Sequence, residues 1–223
     1  MPFVSELITA FELQQDTARA EQMEAYLKNH FSCYGIQTTP RRATFKALFD
    51  KHKTEIVQDF RAIAWELFTQ SNRELQYCGI EILQKLLPNN WQKKDIEVIE
   101  KFLVTNSWWD SVDTIAKYLL GGYLQHFPTD TFAVIERYSN SENMWLNRSA
   151  IIFQLGHKTN TNADLLFAEC LKHAQAKEFF IQKAIGWALR EYHRCNPIAV
   201  EEFVATHTLK PLSKKEALKH VAR

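Results

Sequence analysis

Glycine and proline are scarce in this chain. Six of each in 223 residues are too few to turn the many hairpins of an all-β fold. The four cysteines, Cys33, Cys78, Cys170 and Cys195, stand far apart with no CxxC pair, so neither a zinc ribbon nor a disulfide framework is indicated. Cys170 and His173 lie three apart on a helical stretch, yet no second pair completes a metal site. Long apolar runs are missing too. Nothing approaches the ~18 uninterrupted apolar residues of a membrane span, and Glu6 and Glu12 break the N-terminal stretch where a signal sequence would be apolar. The expectation is a reduced, cytoplasmic protein with no membrane partner. Surplus charge is also lacking. Lys and Arg total 27 against 26 Asp and Glu, a net charge of +1, so no overall basic field announces a nucleic-acid partner. The stretch 177–223 by itself leans positive, with nine basic residues against five acidic.

What is present is helical periodicity. Hydrophobic residues make up 46% and charged residues 24%, the mixture of a folded globular chain. From Leu75 to Leu87 apolar residues recur three and four apart, one face of a helix. Similar patterns cover 4–14, 17–31, 40–53, 57–69, 72–87, 92–104, 108–126, 129–138, 144–157, 163–174, 178–194, 198–206 and 213–222, about thirteen short helices. Thr39 before Pro40 and Asn196 before Pro197 read as N-caps followed by a first-turn proline, and Ser213 with Glu216 spells a capping box. Short connections predict antiparallel neighbours.

A repeat shows through. Trp109, Trp145 and Phe180 stand 36 and 35 residues apart, and Leu146-Asn147-Arg148-Ser149 resembles Ile181-Gln182-Lys183-Ala184. Helix pairs at this period describe an all-α, HEAT-like solenoid, a curved superhelix in which equivalent positions line one face. No linker divides the chain, so 1–223 reads as one domain.

The stretch Ser107-Trp108-Trp109-Asp110-Ser111-Val112-Asp113 is rich in chemistry. Trp109 and Asp113, four apart, share a helix face, and two successive tryptophans cannot both enter the core easily. The same residues also read as an ordinary helix start, with Ser107 or Asp110 as cap, indoles in the core and Asp113 in water. Further on, Trp187 follows Gly186, and Arg190 lies three residues beyond. A glycine inside a helix costs about 1 kcal/mol relative to alanine, so another helix or a ligand approaches closely there.

The chain resembles the AlkD family of DNA glycosylases over essentially its whole length. The strings that carry the resemblance are Tyr26 to Phe31, Gly35 to Thr38 with Arg41-Arg42, Ser107 to Asp113, Trp145 with Arg148, Lys177 to Trp187, Leu189 to Tyr192, and Pro211 to Lys214. The resemblance implies a stack of HEAT-like repeats holding double-stranded DNA. It implies excision of 3-methyladenine, 7-methylguanine and related cationic lesions without metal or cofactor, as the first step of base excision repair. By position it puts Trp109, Asp113 and Trp187 in the catalytic cluster, Arg148 beside the lesion, Arg190 and Lys183 on the DNA backbone, and Tyr26, Gln37 and Arg42 facing DNA. A monomer with no obligate protein partner, associated with the nucleoid when bound to DNA, is the matching expectation.

Those residue types suit that reaction. A base alkylated on a ring nitrogen already carries positive charge and leaves as a neutral molecule, so one carboxylate in place of the usual glycosidase pair is enough. An unpaired carboxylate about 4 Å from the developing sugar cation contributes about 4 kcal/mol at an effective dielectric near 20. Two other functions compete. One is a non-catalytic helical scaffold that binds DNA or protein, which has no need of Trp109, Asp113 and Trp187 together. The other is a metal-dependent hydrolase, for which the eight histidines lack any HExxH-type spacing.

Overall fold

The computed structural model describes residues 2–219. Apart from one isolated bridge between Ser32 and Asn72, every regular element among them is helical. The chain falls into two compact units, Met1–Asn90 and Trp91–Arg223.

In the first unit, α1 (Pro2–Glu12), α3 (Thr38–Lys51), α4 (Lys53–Phe68) and α5 (Arg73–Leu86) pack on one another, with α2 (Thr17–Tyr26) between α1 and α3 in the chain. Helix α1 buries Phe3, Val4, Leu7 and Phe11, the spacing of a single apolar stripe. Gly79 lets α5 approach α4 closely, since a Cβ there would lie 2.5 Å from the Ala64 carbonyl oxygen. Helix α2 stops at Tyr26 instead of running to 31, because Lys28 and Asn29 take left-handed φ of 59° and 57°. The chain then turns along a segment fastened by one carboxylate. Glu74, wholly buried, accepts the backbone N–H groups of Tyr34, Gly35 and Ile36 at 3.0, 2.9 and 3.1 Å. Three amide donors satisfy a charge that would otherwise be costly to bury. Gly35 has φ +84°, and a Cβ on it would meet the Asp16 carbonyl oxygen at 2.2 Å. This segment delivers Gln37 to the start of α3. Pro40 lies in the first turn as expected, but Thr39 is already inside the helix and Gln37 is the cap residue.

The second unit starts with α6 (Asp95–Val104) and a rod in three stretches: α7 (Trp109–Thr114), a π-helical stretch Ile115–Leu120, and α8 (Gly121–His126). With the rod as one helix, six precede it and six follow, thirteen among the described residues. Helix α10 (Met144–Ile152) packs against α7 and α12 (Phe179–His193), and α12 packs against α14 (Pro211–Ala217). Between them in the chain run α9 (Thr131–Ser139), α11 (Ala163–Lys172) and α13 (Pro197–Thr206). Asparagines cap three of these helices: Asn143, Asn162 and Asn196 accept from the N–H of Trp145, Leu165 and Ala199, which satisfies donors that a helix start leaves open. Ala116, Ile152, Ile185, Leu189 and Val200 belong to the core they surround.

The capping box read at Ser213 and Glu216 is not formed. Helix α14 begins two residues earlier, at Pro211. Ser213 is inside it and donates to the Gln182 carbonyl at 3.0 Å, while Glu216 turns to cations on α12. The last part of the stretch expected to be helical, 220–222, lies outside the described residues.

Candidate active site

Asp113, Arg148 and Lys183 stand 35 residues apart, on α7, α10 and α12. The repeat thereby puts a carboxylate, a guanidinium and an ammonium at matching places on successive helices. Asp113 and Arg148 meet. The guanidinium Nε donates to Oδ1 at 2.7 Å and Nη2 to Oδ2 at 2.8 Å, a fork that only arginine supplies. Its Nη1 donates to the Phe180 carbonyl. Arg148 is 4% exposed, so it faces the carboxylate instead of solvent. Asp113 is neither a solvated surface charge nor a lone carboxylate. Burial pushes its carboxyl above the ordinary carboxylate range, Arg148 pulls it back, and Asp110 adds a smaller upward push.

An aromatic cluster adjoins the pair. Trp108 contacts Trp145 and Phe180 edge-on, with centroids 5.7 and 5.3 Å apart, and Trp145 lies 5.2 Å from Phe180. The Arg148 guanidinium sits 6.0 Å from the Phe180 centroid. Trp108, not Trp109, therefore joins Trp145 and Phe180, a one-residue offset from the register read in the sequence. Ser107 does not cap α7; its hydroxyl donates to the Leu103 carbonyl at 2.6 Å. Trp109 lies one turn before Asp113 on α7, and Trp187 one turn after Lys183 on α12. Both indoles are half-buried, and Trp187 also packs against the core of its unit.

The structure brings two more candidates together through a residue whose spacing in the sequence suggests a cap. Glu216 accepts from Lys183 Nζ and Arg190 Nη1 at 2.8 Å each, and its own carbonyl accepts from Arg190 at 2.9 Å. Lys183 and then Arg190 hold the Glu216 carboxyl down to about 2. Gly186 makes this possible. A Cβ there would lie 2.4 Å from Glu216 Cβ, so the close approach inferred from a mid-helix glycine is that of α14. The spacing of 33 between Lys183 and Glu216 continues the repeat and is the signal that could have revealed the pair.

In the first unit, Tyr26 and Gln37 line one cavity with Arg19, Gln22, Met23, Leu27 and Tyr77. Arg42 is exposed and donates to Glu81 at 3.0 Å, on a carboxylate it shares with buried Arg41. Cys170 is fully buried, and His173 pairs with the Ser139 hydroxyl at 2.8 Å. Among the described residues no group of three or more His, Cys, Asp or Glu side chains is placed to hold a metal ion, and no helix is long and apolar enough to cross a membrane.

The family model for DNA alkylation repair enzymes matches residues 7–221. The chain belongs to that family. A solved structure described as a predicted DNA alkylation repair enzyme from Enterococcus faecalis is 31% identical, with a TM-score of 0.84 over 94% of this chain and 97% of that one. No curated protein matches. In this member of the family the arginine-held Asp113 lies beside the cluster of Trp108, Trp145 and Phe180, on helices that follow one another at a spacing of 35 residues.

Proposed function

We propose that this DNA alkylation repair enzyme is a monofunctional glycosylase. It hydrolyses the N-glycosidic bond of positively charged N-alkylated purines, such as 3-methyladenine and 7-methylguanine, in duplex DNA. The observation that carries the reading is the Asp113–Arg148 fork, with the Asp113 side chain only 15% exposed. An ionised carboxylate offers about four acceptor sites. Arg148 takes two, so each oxygen keeps one with which to orient the attacking water. Arg148 opposes the protonation that burial favours and keeps Asp113 an acceptor.

The fork also weakens the pull of Asp113 on a nearby cation. A sugar cation about 4 Å from the carboxylate gains about 4 kcal/mol, and a guanidinium about 8 Å away takes back roughly 2, at an effective dielectric near 20. The remaining ~2 kcal/mol is about thirtyfold in rate. The ring faces of Trp109 and Trp187 add about 1–2 kcal/mol each where they meet the cation. A modest total suffices because the leaving base is already positive and needs no acid. Neutral purines lack that advantage, so specificity follows from the lesion's own charge. Lys183, Arg190 and Arg42 hold DNA phosphates without reading sequence, and Tyr26 and Gln37 face the DNA.

The test is release of 7-methylguanine from methylated duplex DNA by wild type and by Asp113→Asn, which keeps the shape of the side chain. Wild type releases the base and the variant does so at least about thirtyfold more slowly. No release by wild type makes the protein a scaffold, and equal release by the variant removes Asp113 from the chemistry.

A further inference from the structure

The cavity in the first unit is built from one helix face and two fixed walls. Arg19, Gln22, Met23 and Tyr26 occupy successive turns on one side of α2, at spacings of three, one and three, which puts them on a common face. Leu27, 3% exposed, and half-buried Met23 supply the apolar floor. Gln37 comes from the start of α3, delivered by the Glu74-fastened segment, and Tyr77 from the second turn of α5. The Tyr77 ring is pinned by two guanidinium groups, those of Arg41 and Arg73, whose centres lie 5.4 and 5.5 Å from its centroid. The cavity is open to solvent and has a volume of about 200 Å³.

The lining says what fits. Two tyrosines border a space that is smaller than the ~300–1,000 Å³ of ordinary small-molecule pockets. Two glutamine amides, Gln22 and Gln37, face it, each able to donate and accept. The Gln37 side chain makes no cap hydrogen bond to the helix it precedes, and Gln22 is exposed on α2. At the mouth, Arg19 has an exposed ion pair with Asp16 at 3.3 Å, the kind of surface pair that contributes little and is easily exchanged. Aromatic walls, an apolar floor, edge-reading amides and one available cation suit a single planar heterocycle attached to a phosphate.

We propose that this cavity receives one unpaired nucleobase of the bound DNA, stacked against tyrosine and read on its edge by Gln22 and Gln37, with Arg19 on the adjoining phosphate. The proposal rests on the DNA-binding part of the proposed function. It adds a site that grips a displaced base away from Asp113 in sequence and in the unit that holds no catalytic candidate. Stacking one base on an aromatic side chain is worth about 1–3 kcal/mol, so the site gives a preference of roughly tenfold for DNA with an unpaired base.

The test uses the full chain and two duplexes of the same sequence, one fully paired and one with a single bulged 2-aminopurine, followed by fluorescence. Wild type binds the bulged duplex about tenfold more tightly and quenches its fluorophore. Gln22→Ala and Tyr26→Ala, both on the exposed side of α2, bring the ratio of affinities close to one with an unchanged melting temperature. A wild-type ratio near one with tight binding of both duplexes overturns the base site alone, as does a full ratio in both variants. Failure to bind either duplex overturns the DNA-binding reading as well.

Discussion

Arg148 grips Asp113 with both of its edge nitrogens, at 2.7 and 2.8 Å, and so sets the charge state of the one carboxylate on which the proposed chemistry depends. Burial alone favours the protonated acid, and the guanidinium opposes it. Removing the guanidinium must therefore raise the Asp113 pKa further. Arg148→Ala is expected to move the acid limb of the kcat/KM–pH profile to higher pH and so to lower kcat/KM on the acid side of neutrality. Arg148→Lys restores charge but not the fork, and recovers only part of the loss. An acid limb that does not move in Arg148→Ala would show that Asp113 is not the titrating group.

Glu216 couples stability to acid. Its carboxyl is held down to about 2 in the folded chain, first by Lys183 and then by Arg190, from an ordinary value of 4.5. A lowered folded value stabilises above the unfolded pKa, and that contribution is lost as pH falls from about 4.5 to about 2. Wild type should therefore lose stability across that window, and Glu216→Gln should lose less across it than wild type while being about 1–3 kcal/mol less stable at pH 7. Thermal melts from pH 7 to pH 2 measure both.

The same substitution tests DNA contact. With Glu216 neutral, Lys183 and Arg190 are released toward phosphates. Duplex affinity for Glu216→Gln should rise severalfold, and the slope of log affinity against log salt should steepen by about 1–2. An unchanged slope means that neither cation reaches the backbone.

Gly186→Ala checks the helix contact on which this arrangement rests. Alanine gains up to about 1 kcal/mol of helix propensity. Its Cβ, however, would lie 2.4 Å from Glu216 Cβ and 2.8 Å from the Ser213 carbonyl oxygen, and overpacking costs about 1–3 kcal/mol. The balance is expected to be destabilising, seen as a melting temperature lower by a few degrees.

Glu74→Gln tests the fastened segment of the first unit. The carboxylate receives three backbone amides. A neutral amide presents one acceptor oxygen and places an NH2 group against the remaining N–H donors. The expected loss is about 3 kcal/mol in chemical denaturation, with faster amide exchange at Tyr34, Gly35 and Ile36.

Much of this is legible in the residues. Apolar periodicity marks the helices, and Asn196-Pro197 starts α13 as its chemistry demands, with the Asn196 side chain on the Ala199 N–H. Of the site residues named from family resemblance, Trp109, Asp113, Arg148, Lys183, Trp187 and Arg190 fall on α7, α10 and α12, which follow one another at the repeat spacing, while Tyr26, Gln37 and Arg42 lie at α2 and α3. Less legible is who pairs with whom. Ser213 and Glu216 have the spacing of a capping box, but a proline two residues earlier starts the helix, and opposite charges on α12 outcompete a local backbone N–H for Glu216. Asp113 reads as solvated because its partner is 35 residues away, beyond any local pattern. The two left-handed residues that end α2 at Tyr26 are lysine and asparagine, 28 and 29, and of these only asparagine hints at such a turn.

The π-helical stretch Ile115–Leu120 lies between Asp113 and the far end of its rod, where Gly122 and Tyr123 rest against Trp91. A π-bulge accommodates one residue more than α-geometry would, and one residue is about 100° of helical rotation. The direction in which the carboxylate end points is therefore set by an insertion absorbed within the helix, with the Trp91 end as its anchor. Deleting a single residue from this stretch would leave a regular helix, of nearly the same length and composition, whose Asp113 has swung about a quarter-turn away from Arg148.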